Sequence, residues 1–413
     1  MRSLIKNILS FFFLCFISSS FPKANIPPHI IILLHGNMDL APHITSFENI
    51  RLFFNDTIEE SNYKKSVELL RADPFFCLHH PMQNLGLQLI ALDRIEPGYA
   101  AGAFVHAHRM ITDFSSNLQT PCIYYTYGWS GLQSPKSRLA DAQKFYADLV
   151  ALVREYQAKK LEPKITIISY SHGANVALNL GAFYTPDDNI QIDQLILLGA
   201  PIIPESDHYV SSPLFLEIFN FYSMGDRVQP LDCLGHNRIF SGRRFEARKG
   251  FAPPANLYEV RLCIKRPRRT LIQRKSAYCT RERDALQHSH PHHIRKADPG
   301  HVEFWSFGWT NGYRKYFPLY PLPISAYSTL FTDLIRKSRS LSHDLLLDIR
   351  PYEHKIYLHD HKNGKIFPHK FLTQNELNSL EAQIKQFQPQ EYSGALFSQH
   401  VKKAITQVQQ APH

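Results

Sequence analysis

The stretch Lys164–Ala177, KITIISYSHGANVA, decides the fold class of this chain. Its first five residues are mostly β-branched, which is typical of a buried parallel strand. From Ala174 onward the residues are small and suit a helix. Between these parts stands a Ser-x-Ser-x-Gly pattern, whose small residues on either side of Ser171 let a strand turn sharply into a helix. We therefore predict that Ser171 is a nucleophile held at a strand-to-helix turn. The alternative is an ordinary helix-capping serine in a tight turn.

Five further segments of β-branched, aromatic or leucine residues surround this stretch, separated by helical or irregular sequence. This alternation is typical of a parallel sheet with helices on both faces. The spacing of apolar residues predicts one long helix over 137–160 and a second over 103–114. The five other predicted strands are Ile30–Leu34, Cys122–Thr126, Gln194–Leu198, Glu217–Ser223 and Leu257–Ile264.

The first predicted strand runs directly into His35-Gly36-Asn37. A reaction at Ser171 that builds negative charge on an oxygen needs backbone N–H donors aimed at that oxygen. The amide of His172, directly after Ser171, would be one donor. The glycine lets the first loop approach the serine, so the amide of Asn37 would be the other. A plain strand-ending turn is the alternative for this loop.

At this point the sequence resembles the α/β-hydrolase family, particularly its lipases and esterases. The order of motifs matches that family over about residues 30–305, while Ser169 stands where the family has glycine. The resemblance implies an α/β-hydrolase fold, with a mainly parallel sheet of about six strands flanked by helices. It rests on Leu34-His35-Gly36, Tyr127–Gly131, Ser169–Gly173, Leu198–Pro201, Tyr222–Val228 and Gly300–Trp305.

The resemblance also implies the partners of Ser171. Asp226 follows the strand ending at Ser223, where the family places its acid. A turn residue that caps Arg227–Val228 is the alternative role for Asp226, and Asp232 is the fallback acid. His301, between a glycine and an aromatic pair, matches the family's histidine. Four other histidines, His288, His290, His292 and His293, lie in the same region and stay as alternatives. With these residues the resemblance implies hydrolysis of a carboxylic ester or lipid substrate through an acyl-enzyme on Ser171. The alternatives are a thioesterase, an acyltransferase or a non-catalytic binding protein.

The chain of 413 residues is long enough for an enlarged domain with additions. Residues 1–20 read as a signal peptide, with Arg2 and Lys6 before a short apolar run, so we expect a secreted or periplasmic protein; an uncleaved anchor is the alternative. We expect the hydrolase domain over 21–318, with an insertion over about 38–102. A C-terminal extension follows over 319–413, with a hairpin turn at Asn363-Gly364 and a helix opened by a Thr373/Glu376 capping box.

Basic residues give the chain a formal net charge of +10, and much of the excess lies between Arg243 and Lys296, which includes a basic excursion over about 265–296. In an exported protein this patch favours an anionic membrane surface over nucleic acid as a partner; a solvated loop is the alternative. The closely spaced histidines of the excursion could ligate a metal, but no separated ligands accompany them. We therefore expect no metal and no cofactor. The densest part of the patch is Lys265, Arg266, Arg268 and Arg269.

Overall fold

A computed structural model describes residues 27–37, 58, 61–115, 121–230, 240–267, 294–338, 341–391 and 393–410. The predicted signal peptide and the histidine cluster of the basic excursion lie outside these residues. The strands are β1 His29–Leu34, β2 Gly86–Leu89, β3 Cys122–Gly128, β4 Lys164–Tyr170, β5 Ile192–Leu198, β6 Phe215–Ser223, β7 Leu257–Pro267, β8 Ile294–Lys296, β9 Asp344–Arg350, β10 Lys355–Asp360 and β11 Lys365–Lys370.

The described α-helices lie between strands, except for the last two, which follow the last strand. They are α1 Asn62–Ala72, α2 Pro74–His79, α3 Ala100–Ser115, α4 Pro135–Ala158, α5 Gly173–Asn179, α6 Pro204–Asp207, α7 His301–Trp305, α8 Ser328–Lys337, α9 Gln374–Lys385 and α10 Gly394–Gln410. Short 3₁₀ turns occur at Leu180–Ala182, Pro186–Asp188, His208–Ser211, Ile324–Tyr327 and Pro351–Glu353. None of the helices described is both long and apolar enough to cross a bilayer.

One mostly parallel sheet organises the protein, in the order β11-β10-β9-β7-β6-β5-β4-β1-β3-β2, with β8 paired to the end of β7. The strands from β9 to β3 are parallel, and β2 and β10 run antiparallel to their neighbours. The chain is therefore an α/β protein, as predicted. All six predicted strands and both predicted crossover helices are confirmed, with ends that differ by up to three residues.

The expectation of about six strands is wrong, because the sheet continues at both edges. The predicted hairpin around Asn363-Gly364 is present as β10 and β11, and β9 carries it onto β7. The segment after residue 319 thus contributes three strands to the same sheet. At the other edge, the described part of the insertion supplies β2 together with α1 and α2. The Thr373/Glu376 capping box is present and opens α9.

Alternate side chains of β1 point into two apolar cores, one on each face of the sheet. Ile31 and Leu33 join the core beneath α3, whereas Ile30, Ile32 and Leu34 join the core beneath α4. Burial on both faces explains why β1 reads as a continuous apolar run. From β1 the chain passes through α3 to β3 on one side, and then through α4 to β4 on the other side. A crevice forms at such a reversal, outside the carboxyl ends of β1 and β4, where ligands of open α/β sheets commonly bind.

Candidate active site

Ser171 occupies the sharp turn between β4 and α5 that the sequence predicts. Its backbone φ is 51°, in the left-handed region that residues with a side chain rarely adopt. The turn is closed because the Ser171 amide donates to the Leu198 carbonyl at 3.0 Å and the Ser171 carbonyl accepts from Ala174 at 3.0 Å. A Cβ atom on Gly173 would lie 2.2 Å from the His35 carbonyl oxygen, so glycine is required there. This geometry holds the serine side chain away from the strand.

Ser169, the departure from the family pattern, fits the turn without distorting it. The side chain is buried, and its hydroxyl donates to the Ile196 carbonyl of β5 at 3.0 Å. A buried hydroxyl with a partner carries little desolvation cost. The extra hydroxymethyl group therefore replaces glycine without leaving a polar atom unpaired.

The structure brings Ser171, His301 and Asp226 into one hydrogen-bonded chain. The Nε2 atom of His301 lies 3.0 Å from Ser171 Oγ, and its Nδ1 atom lies 2.7 Å from Asp226 Oδ2. Because a carboxylate only accepts, Nδ1 carries the proton and Nε2 presents its lone pair to the serine hydroxyl. Ser171 follows β4, Asp226 follows β6 and His301 follows β8, so three separate parts of the chain meet here. The three residues predicted for this site thus meet in space.

Asp226 combines the two roles that the sequence left as alternatives. Its Oδ1 atom accepts the amides of Val228 and Gln229 at 2.9 Å each, as a turn-capping aspartate does. Its Oδ2 atom remains for His301. The side chain is completely buried, and Arg243 donates to its backbone carbonyl at 2.6 Å. The carboxylate is therefore fixed in orientation, while the fallback, Asp232, lies outside the described residues.

A second set of contacts, not found from the sequence, fixes the loop that carries His301. Glu303 is buried, accepts the Gly300 amide at 2.9 Å and binds the Arg314 guanidinium at 2.6 Å. Arg314 also donates to the Asp298 carbonyl, ahead of His301. Glutamate three residues after Gly300 is a helix-start signal that could have marked Glu303. No local signal points to Arg314, since that pairing depends on the tertiary fold.

Tyr170 and Gly199 also lie against the Ser171–His301–Asp226 group and were not singled out as site residues. The Tyr170 hydroxyl donates to the His301 carbonyl at 3.0 Å, and its ring stacks on Trp305 with centroids 5.5 Å apart. Gly199 follows β5 with a φ of 57°, and a Cβ atom there would lie 3.0 Å from Asp226 Oδ2. Tyr170 therefore holds the histidine loop in place, and the glycine leaves room for the pair behind it.

The loop after β1 lies against Ser171, where the second oxyanion donor is expected. A Cβ atom on Gly36 would be only 2.9 Å from Ser171 Cβ, so glycine permits this approach. Within the described residues, the buried Oδ1 atom of the next residue, Asn37, has no hydrogen-bond partner. His172 follows Ser171 at the start of α5. Both predicted donor residues therefore directly follow residues at the centre of the site.

The described residues contain no group of three or more histidine, cysteine or acidic side chains that could hold a metal ion. His288, His290, His292 and His293 lie outside the described residues.

A cavity of about 330 Å³ opens at the opposite edge of the sheet, near the amino ends of β1, β3, β4 and β5. Its lining includes His29, His108 and Asp333 but no member of the Ser171 group.

No protein-family model matches the chain, and no curated protein matches its sequence. The geometry of the described residues therefore carries the functional argument.

Proposed function

We propose that this protein is a serine hydrolase of the α/β-hydrolase type that cleaves carboxylic esters through an acyl-enzyme on Ser171. The observation that carries the proposal is the aligned chain from Ser171 through His301 to Asp226, with distances of 3.0 and 2.7 Å, on a serine at positive φ. A helix-capping serine needs neither an imidazole partner nor this backbone conformation. Their combination is the arrangement that acyl transfer to serine requires.

The reaction proceeds in two halves. Ser171 Oγ attacks the ester carbonyl carbon while its proton passes to His301 Nε2, and the resulting imidazolium is stabilised by Asp226. His301 then returns this proton to the departing alkoxide, which leaves as an alcohol and leaves the acyl group on Ser171. A water molecule repeats the sequence: it gives its proton to His301, attacks the acyl carbon and releases the acid as the serine regains its proton.

The negative charge on the carbonyl oxygen requires donors that are already in place. The amides of His172 and Asn37 fill this role in the proposal. Such donors are effective because they are fixed before the reaction, and removing one from a serine hydrolase typically costs about 10²–10³ in kcat. The close approach of Gly36 to Ser171 supports the Asn37 loop as the second contributor.

A fluorophosphonate probe tests the proposal, because it phosphonylates only an activated serine. We expect stoichiometric labelling of the full chain and complete loss of labelling in Ser171→Ala. Ser169→Ala is the matched control: this hydroxyl lies two residues away and faces β5, so its loss should leave labelling intact. An unlabelled wild-type protein would instead support a non-catalytic binding protein on this fold. Product analysis with water and an alcohol as competing acceptors separates hydrolysis from acyl transfer.

Two further parts of the proposal concern where the enzyme acts. A secreted or periplasmic location follows from the signal-like residues 1–20, and peptide mapping of the exported protein tests it. An anionic membrane surface is the proposed partner of the basic excursion, although Lys265 binds Asp348 at 2.6 Å and is therefore not a free cation. The attraction would then depend on the other basic residues of the excursion, among them Arg268 and Arg269, which lie outside the described residues.

A further inference from the structure

A buried tryptophan connects the loop after β3 to the loop that carries the proposed oxyanion donor. The Trp129 indole N–H donates to the His35 carbonyl at 2.7 Å, and its ring stacks on the His35 imidazole with centroids 5.6 Å apart. His35 directly precedes Gly36, which packs against Ser171. The position of Trp129 therefore determines where the His35–Asn37 loop sits.

Arg71 of α1 holds the backbone of Trp129 from the insertion side. Its side chain is almost fully buried, with the residue only 5% exposed. Nε donates to the Trp129 carbonyl at 3.1 Å, and Nη2 donates to the Gln83 carbonyl. A Cβ atom on Gly128 would lie 2.1 Å from Nη2, so the glycine leaves the passage through which the guanidinium reaches Trp129.

A buried guanidinium is an expensive way to hold two loops together. Burial lowers the pKa of Arg71, with Cys77 and Asp141 acting in the opposite sense. Apolar side chains of similar volume commonly stabilise a buried site as well as a charged group does. The guanidinium of Arg71 differs from an apolar group because its donors hydrogen-bond the Trp129 and Gln83 carbonyls and so fix the orientation of both backbone segments.

The helix α10 holds α1, and therefore Arg71, in place. Val401 and Ala404 of α10 pack with Val67 and Leu70 of α1 in one apolar cluster. The His400 Nδ1 atom lies 2.6 Å from Asp73 Oδ2, just beyond the end of α1. The insertion and the last helix thus form one unit on the side of the sheet where β3 ends.

We propose that Arg71 is a positioning residue for the reaction at Ser171: through Trp129 it fixes the His35–Asn37 loop and so the Asn37 amide at the oxyanion. The inference rests on the proposed ester hydrolysis. In this inference, the described part of the insertion supports the site through Arg71. Arg71 touches neither substrate nor Ser171, and it acts only through Trp129 and His35.

Steady-state kinetics of Arg71→Met test this role. A donor misplaced by about 1 Å can cost about 10² in rate, so we expect kcat to fall about 10- to 100-fold. KM should stay within about twofold, and the pH profile should keep its midpoint because His301 and Asp226 are untouched. Arg71→Lys, which keeps a charged donor group but not the planar fork, should recover part of kcat. The control is Arg350→Met, which should keep wild-type kcat; Arg350 is the last residue of β9 and binds Asp348 and Glu353.

Trp129→Phe tests the same connection with a smaller change, should the Arg71 variants fail to fold. It keeps an aromatic ring at this buried position and removes the N–H that reaches the His35 carbonyl, together with the five-membered part of the indole. Because both side chains act through one chain of contacts, the double variant should lose little more kcat than the worse single variant. Losses that multiply, an unchanged kcat in Arg71→Met or Trp129→Phe, or a raised KM at constant kcat would each overturn the inference. Absence of fluorophosphonate labelling in the wild-type protein would overturn the proposed function itself.

Discussion

Asp226→Asn should change the tautomer of His301 while leaving the rest of the site in place. Val228 and Gln229 both donate to Oδ1, so the amide oxygen of asparagine must occupy that position. The new NH₂ group then faces His301 Nδ1 and donates to it. Nδ1 becomes the acceptor, and the imidazole proton moves to Nε2, where it points at Ser171. In this tautomer His301 cannot accept the serine proton.

The size of the effect follows from these contacts. The opposite orientation of the asparagine would set its NH₂ group against two N–H donors, leaving both unpaired at a cost of about 1–3 kcal/mol each. The wrong tautomer therefore dominates. In a serine protease the same substitution lowers kcat by about 10⁴ with little change in structure. At about 1.36 kcal/mol per tenfold change, this corresponds to about 5.4 kcal/mol of lost transition-state stabilisation.

The assay is kcat for a short p-nitrophenyl ester, with thermal unfolding measured on the same samples. Asp226→Asn should unfold within a few degrees of wild type, because the variant is nearly isosteric and keeps both turn hydrogen bonds. Asp360→Asn is the matched control: Asp360 is also buried and accepts two backbone amides, from Ser342 and Asn363, but lies away from Ser171. That variant should lose stability and keep kcat. Asp226→Asn with a kcat within tenfold of wild type would refute the tautomer argument.

Three further expectations follow from particular contacts. Gly199→Ala should destabilise the protein by about 1–2 kcal/mol, because the backbone of Gly199 is in the left-handed region. It should also lower kcat at least tenfold, because the new methyl group faces Asp226. The control is Gly364→Ala, with φ 63° and nothing near its Cβ, which should show the destabilisation alone. Burial acts to raise the pKa of Asp360, but hydrogen bonds from Ser342 and Asn363 outweigh it and lower the pKa to about 2. The ionised Asp360 therefore stabilises the fold above about pH 4, and this stabilisation is lost towards pH 2. Acid titration of Asp360→Asn should accordingly show a smaller loss of stability over this pH range than wild type. If the basic excursion binds membranes, hydrolysis on anionic vesicles should exceed that on neutral ones and decline with salt, as charges become screened over about 10 Å at about 0.1 M. Equal rates on the two kinds of vesicle at low salt would contradict it.

The residues that were found from the sequence are those whose signals are local. The six central strands are apolar runs, and the five consecutive residues Ser169–Gly173 predict the turn at Ser171. Asp226 and His301 were found because the resemblance gave their place after the strands. Their mutual distances then followed from the parallel sheet, which gathers the carboxyl ends of its strands at one edge.

The features that were missed depend on contacts between distant parts of the chain. β9 consists largely of leucines between charged residues, a composition that suits a helix equally, and only pairing with β7 makes it a strand. The roles of Arg71 and Arg314 are set by carbonyls and carboxylates that have no sequence pattern. Their side chains look like ordinary surface charges until the fold buries or pairs them.

The packing of α10 on α1 has a consequence for the order in which the protein folds. Asp73 and His400, which join these helices, are separated by 327 residues. During synthesis α1 is made early, yet the apolar cluster that covers it is completed only when α10 arrives. Contacts of such long range form late, because the intervening chain must first be closed into a loop. We therefore expect the contacts around Arg71 to be among the last to become rigid, after the central strands have paired.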